Sequence, residues 1–360
     1  MRIELEKRAE RSSTMAIASP ILAIALTLVT GGLIFAAAGV PPLKGLYVYF
    51  VEPLTTLWSI EELIVKATPL ALIGVGLSVA YRANVWNIGA EGQFTIGALV
   101  GSAIPILANG WQSPLTLVAM LVLGILGGVV WGLIPALLKV KAGANEILTS
   151  LMLVYVSQLL LDWLVRGPWR DPKGFNFPKS VAFEDWQTLP LLGGGRVHMG
   201  ALVALVVAVA LAIMMTRMLK GFEIRVMGQA PRAGRFAGFS AEKNVLFAFA
   251  LSGGLAGLAG IMEVMATVGQ LQPGISPGYG FTAIIVAFLG RLNPIGVVFA
   301  ALLLAISYLG GEAAQVGLGI SDKVARVFQG ILLFYVLACD TLILYRIRLV
   351  AGREPAEART

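Results

Sequence analysis

The stretch "NVWNIGAEGQFTIG", residues 84 to 97, sets Asn87, Glu91 and Gln93 among glycines at the head of a long apolar run. An ionised side chain at the centre of a membrane helix costs about 2.5–3.5 kcal/mol on insertion scales, so an acid there needs a reason. Such residues can accept backbone N–H groups, bond amide to amide, or meet a polar solute. A second stretch, "GFEIRVMGQAPRAGRFAGFSAEKN" from Gly221, is basic and regular. Pro231 suits the first position of a short helix that would present Arg232, Arg235 and Phe236, with Gly238 as its stop. Other chemistries are missing. His198 is the only histidine and Cys339 the only cysteine, which excludes a multi-histidine metal site and an intrachain disulfide. No Gly-Lys dipeptide occurs, so there is no phosphate-binding loop of the Walker type. The sparse acids form no catalytic cluster, and no catalytic residue is assigned.

The elements that must position these residues follow from composition. Hydrophobic residues make up 58% and charged ones 13%, with a mean hydropathy of +0.84, where soluble domains carry about 25% charge. Lipid is the expected solvent. Apolar runs near 17–39, 63–81, 88–108, 115–138, 145–165, 198–216, 244–265, 279–290, 295–311 and 324–344 predict ten spans. The eighth is too short for a plain crossing, and the third is polar at its start. The run from Met15 to Val40 exceeds a signal-peptide core, and its leader "MRIELEKRAER" is of mixed charge, so it reads as a retained span.

The net charge of +7 collects in loops and gives orientation rather than nucleic-acid binding. With the N-terminus inside, the inner loops and tail hold Arg82, Lys139, Lys141, Arg217, Lys220, Arg225, Arg232, Arg235, Lys243, Arg291, Arg346 and Arg348. Outer positive residues, Lys44 and Lys323 aside, fall in one loop. The organisation expected is a cytoplasmic segment 1–16, a membrane domain 17–344 with an outer loop 166–197 and an inner loop 217–243, and a cytoplasmic tail 345–360.

"IGAEGQFTIGALVG" at 88–101 is echoed by "PGYGFTAIIVAFLG" at 277–290, with a two-residue gap. The segments would open spans three and eight, whose odd offset puts them in opposite orientations, as inverted repeats require. The fold expected is all-α, with about ten transmembrane helices and an inverted repeat containing broken helices. Gly124, Gly128 and Gly132, Gly253 and Gly257, and Gly97 and Gly101 fall at four-residue spacing and suit close helix packing. Lys66 and Glu146 sit near span ends, where they can reach headgroups, and Glu263 is close to the outer end of span seven. No relay of acids and histidines appears, so energy for transport would come from a partner. The basic inner loop reads as that partner's dock, against the plainer reading of a loop held on anionic lipid.

These residues resemble the permease subunits of ATP-binding-cassette importers of the branched-chain amino-acid and simple-sugar class, nucleoside-type branch. "NIGAEGQFTIGALVG" is similar to its Asn-Ile-Gly-x-Glu-Gly-Gln signature, "KAGANEILTSLMLVY" at 141–155 to a second motif, and "VMGQAPRAGRFAGFS" at 226–240 to its cytoplasmic coupling loop. The last departs from the family pattern at "GQAP" and Ala233-Gly234. The resemblance implies a bacterial inner-membrane importer with both termini cytoplasmic. It would comprise ATP-binding subunits, a second and different permease chain, and an extracytoplasmic substrate-binding protein. The chain itself would be no enzyme and hold no cofactor, with ATP on the partner. Asn87, Glu91, Gln93, Phe94 and Tyr279 are the path or gate candidates, and Gly228, Pro231, Arg232, Arg235, Phe236 and Gly238 the coupling-loop candidates. Glu91 is expected to fix the broken start of span three by accepting backbone hydrogen bonds. The outer loop, near Trp163, Trp169 and Trp186, is either the binding-protein receptor or an aromatic anchor in the headgroups. Nucleosides are the substrate expected. The alternatives are a ribose-like sugar importer and an ion-coupled secondary carrier.

Overall fold

The computed structural model describes residues 2–7, 13–108, 112–321 and 323–350. Its helices, in chain order, are α1 (Ser13–Ala37), α2 (Pro42–Phe50), α3 (Leu57–Arg82), α4 (Ala90–Gly101), α5 (Ala103–Leu107), α6 (Pro114–Ala142), α7 (Glu146–Arg166), α8 (Gly200–Arg217), α9 (Leu219–Gln229), α10 (Pro231–Phe236), α11 (Ala241–Glu263), α12 (Tyr279–Leu289), α13 (Pro294–Leu318) and α14 (Lys323–Leu344). Seven stretches are long and apolar enough to cross a membrane, with Ala90–Leu107 counted as one across the α4–α5 break. Shorter apolar stretches lie in α1, α12 and α14. These are the ten segments expected, in an all-α membrane protein.

The chain forms two compact units, residues 52–310 and residues 1–51 with 311–360. The smaller unit is built on aromatic packing. Phe35 of α1, Tyr49 of α2 and Phe328 of α14 are buried together, with Tyr49 and Phe328 stacked at 4.6 Å. Thr30 and Tyr335 share a 2.9 Å hydrogen bond between α1 and α14. Helix α2, which begins at Pro42 as its first position, lies in what reads as a loop in the sequence. Two strands, β1 (Arg2–Lys7) and β2 (Tyr345–Val350), pair antiparallel with Glu4 opposite Arg348.

In the larger unit the ends of the helices are chemically marked. Thr56, Ser113, Asn145 and Ser240 cap α3, α6, α7 and α11 by accepting backbone N–H groups. Helix α6 stops at Gly143, which takes a left-handed φ of 66°. Helices α4, α6 and α11 form the centre. A side chain on Gly128 would strike the Gly253 carbonyl, and one on Gly257 the Gly124 carbonyl, so α6 and α11 run antiparallel with backbones in contact. Gly97 of α4 meets Gly257 in the same way. In lipid, where water supplies no drive for helices to associate, such approach is a principal source of packing attraction.

Directions follow from these contacts. Helix α4 runs with α7, since Gly89 faces Ser150 and Gly92 faces Val154 and Ser157. Helix α12 runs with α3, since Gly74 faces Ala283 and Val286 while Tyr81 stacks on Phe288 at 5.3 Å. The chain reverses at residues 83–89 between α3 and α4. Therefore α4 and α12 point in opposite directions.

Candidate functional site

Helices α4 and α12 are half-length, and they meet N-terminus to N-terminus. An α-helix leaves its first backbone N–H groups without intrahelical partners and carries partial positive charge there. At α12, Ser276 answers this need by accepting from the N–H groups of Gly278 and Tyr279, both at 3.0 Å. Gly278 sits at φ 104°, a left-handed conformation that lets the chain turn into the helix. The next N–H, from Gly280, is donated at 2.6 Å to Oε2 of Glu91 in the first turn of α4. Gly280 lies against the Glu91 backbone with no room for a side chain, so the two helix starts are in direct contact. One carboxylate therefore lies between two positive helix ends.

The start of α4 is braced from the other side. Asn87 Nδ2 donates to Gln93 Oε1 at 2.8 Å and to Ser252 Oγ of α11 at 2.9 Å. Gln93 Nε2 returns a bond to Asn87 Oδ1 at 3.0 Å, and the same oxygen accepts from Gly89 N. Tyr81 of α3 donates to the Asn87 carbonyl at 3.1 Å. All four side chains are buried, and buried amides hold their place only when their groups are paired. Phe94 and Tyr279 pack with ring centroids 6.1 Å apart, and Tyr279 continues to Tyr308 at 5.6 Å. The structure thus gathers all five sequence candidates, but it buries Asn87, Gln93, Phe94 and Tyr279 inside the helix core.

A cavity of about 490 Å³ opens beside Glu91. Its walls come from α4 (Glu91, Thr95), from α7 (Tyr155, Gln158, Asp162) and from the segment 273–276 that leads into α12. Of the five candidates, Glu91 alone borders it. The α7 residues are absent from the sequence-derived set. Their signal in the sequence is a set of polar side chains at positions i, i+3 and i+7 of a span, which carries no glycine or charge cluster to mark it.

The outer loop is tied to the same segment. Ser180 N donates to the Leu271 carbonyl at 2.8 Å, Leu271 N donates to Ser180 Oγ at 2.9 Å, and Phe183 N donates to the Gly269 carbonyl at 2.8 Å. Its far end is held by Arg196, which bonds Glu62 at 2.7 Å and lies over the Trp58 ring. Of the three tryptophans near this loop, Trp163 is exposed on α7 while Trp169 and Trp186 are partly buried. Glu146 forms an ion pair with Lys139 at the opposite end of α7.

At that opposite end lies the basic segment. Helix α10 starts at Pro231, and Gly238, at φ 85°, closes it while Phe239 N bonds back to the Gly234 carbonyl. Arg232 and Arg235 are exposed, and Phe236 is 95% exposed. Gly228, in α9, packs on the Arg82 carbonyl at the end of α3.

This architecture, with two opposed half-helices and an exposed basic helix pair at one end, is that of a membrane permease. The family model described as branched-chain amino acid transport system / permease component matches residues 59–337. The chain is 35% identical to the glucose ABC transporter permease protein of Haloferax volcanii, across 99% of this chain and 96% of that one. It is 29% identical to the guanosine ABC transporter permease protein of Bacillus subtilis, across 93% and 95%. It is 26% identical to a nucleoside ABC transporter permease protein of Lactococcus lactis, across 90% and 92%. The protein belongs to this permease family and is a multi-pass membrane subunit of an ATP-binding-cassette importer.

Proposed function

We propose that the chain is the permease of a nucleoside importer. The observation that carries this reading is its alignment, over nine-tenths of both chains, with permeases named for guanosine and for nucleosides. In this reading a second, different permease chain completes the path. Separate ATPase subunits dock on α9 and α10, where Arg232, Arg235 and the bare ring of Phe236 await a partner, Pro231 and Gly238 delimit the docking helix, and Gly228 transmits its motion to α3. ATP belongs to those subunits, and this chain holds no cofactor. A binding protein delivers substrate at the opposite end, near the outer loop. The membrane is the bacterial cytoplasmic membrane, with segments 1–16 and 345–360 cytoplasmic and 17–344 forming the permease domain. Glu91 holds the two half-helices together at the edge of the path, and Asn87, Gln93, Phe94 and Tyr279 keep that junction rigid.

A free sugar is the second reading, favoured by the permease named for glucose at 35% identity. Uptake of labelled adenosine, guanosine and glucose in cells with and without the gene separates them. Loss of nucleoside uptake on deletion, insensitive to excess glucose, is the expected result. Uptake should stop on ATP depletion and persist when an ionophore collapses the ion gradient. The reverse pattern would replace the importer with an ion-coupled carrier.

A further inference from the structure

We infer that the α7 edge carrying Tyr155, Gln158 and Asp162 lines the substrate path and reads a ribonucleoside, with Tyr155 against the base and Asp162 on the ribose hydroxyls. This rests on the nucleoside reading above and assigns recognition to residues outside the buried junction.

The helix has two chemically different edges. Val154, Ser157 and Leu161 are buried, and Val154 and Ser157 lie against Gly92 of α4. Tyr155, Gln158 and Asp162 follow the three- and four-residue spacing that keeps side chains on one helix face, and that face borders the cavity. Tyr155 is 57% exposed. Asp162 accepts from Arg166 Nε at 2.8 Å on each oxygen. A polar strip containing an amide and a carboxylate inside a span does not face lipid; such residues border water-filled cavities or a protein interior. Thr95, Glu91 and Ser276 continue the polar lining across the cavity from the strip.

The size and chemistry of the space narrow the ligand. About 490 Å³ is in the range that holds a small organic molecule. A phenol ring offers a flat face that stacks on any base. The Gln158 amide has both donors and an acceptor for a base edge. Arg166 uses one direction on each Asp162 oxygen, which leaves acceptor positions for two neighbouring hydroxyls. These features together suit a neutral molecule with an aromatic half and a diol half.

The test uses the complete importer in membrane vesicles. With Cys339→Ser as the background, Gln158→Cys is compared with Val156→Cys, an exposed neighbour on another face of the same helix. A hydrophilic, charged thiol reagent should modify Gln158→Cys roughly tenfold faster, because thiol reaction requires water at the site. Adenosine should slow that modification. Equal rates at the two positions would overturn the path assignment whatever the substrate proves to be. Tyr155→Leu should raise the half-saturating adenosine concentration about tenfold, as loss of one stacking contact does, and Tyr155→Phe should restore it. A Tyr155→Leu importer with unaltered adenosine affinity would overturn the base assignment. Wild-type vesicles that transport glucose and not adenosine would defeat the nucleoside reading and its base contact, while the labelling contrast still decides whether α7 lines the path.

Discussion

Glu91 occupies a position that few side chains could fill. It accepts the Gly280 N–H at 2.6 Å, and it places its carboxyl group between two helix N-termini. Hydrogen bonds to a charged group contribute about 1.5–3 kcal/mol, and an orphaned buried N–H costs about 1–3 kcal/mol. Glu91→Gln keeps an acceptor for Gly280 and removes the charge, so uptake should fall about tenfold with the fold retained. Glu91→Ala should also lower the stability of the purified complex by about 1–3 kcal/mol, seen in thermal unfolding. Full uptake by the glutamine variant would show that the charge is dispensable. A second residue, two positions before the start of α8 at Gly200, sets a pH limit. His198 is buried at the head of α8, its Nδ1 accepts from Gly200 N at 3.1 Å, and burial lowers its imidazole from 6.5 to about 4. The unfolded chain binds this proton below 6.5 and the folded one only near 4, so stability is full above 6.5 and is lost as pH falls towards 4. The melting temperature should drop across that window, and His198→Gln should reduce the drop.

At the scale of elements, the centre of the larger unit is a backbone-to-backbone seam. Gly257→Leu places four heavy atoms where α6 already touches α11 and should cost about 3 kcal/mol or prevent assembly. Gly330→Ala meets open space in α14 and should be tolerated. Yields of folded protein from detergent extracts compare the two. The seam was legible from four-residue glycine spacing, and so were the ten apolar segments, because lipid makes length and hydropathy nearly sufficient. Helix α10 was legible from Pro231 and Gly238, which mark a start and a stop by backbone geometry alone. Helix α2 was not, since "PPLKGLYVYF" is short, opens with prolines and gains its helix by packing Tyr49 on Phe328. The pairing of Asn87 with Ser252 was equally hidden, because it joins residues 165 positions apart. Strands β1 and β2 went unread because each needs the other as a partner.

At the scale of the whole molecule, positive charge marks one end of the larger unit. The end of α3, the ion-paired turn between α6 and α7, and helices α9 and α10 share one end of the larger unit, and that end carries Arg82, Lys139, Lys141, Arg225 and Arg232. In the smaller unit the pairing of β1 with β2 sets Arg2 opposite Val350. Reporter domains fused at either terminus should therefore report the same compartment, and the cytoplasm is the one proposed above. Opposite readings from the two fusions would refute the shared face.

The glycine seam also decides where movement is available. Helices whose side chains interdigitate can slip by exchanging rotamers, as a gear skips a tooth. Gly97, Gly128, Gly253 and Gly257 present no teeth, and sliding of α4, α6 and α11 would drive carbonyl oxygens into the facing backbone. Those three helices form the chassis of the transporter, and spin-label distances across them should stay fixed through the ATP cycle. The stroke must then be taken up around them, by helices outside this seam.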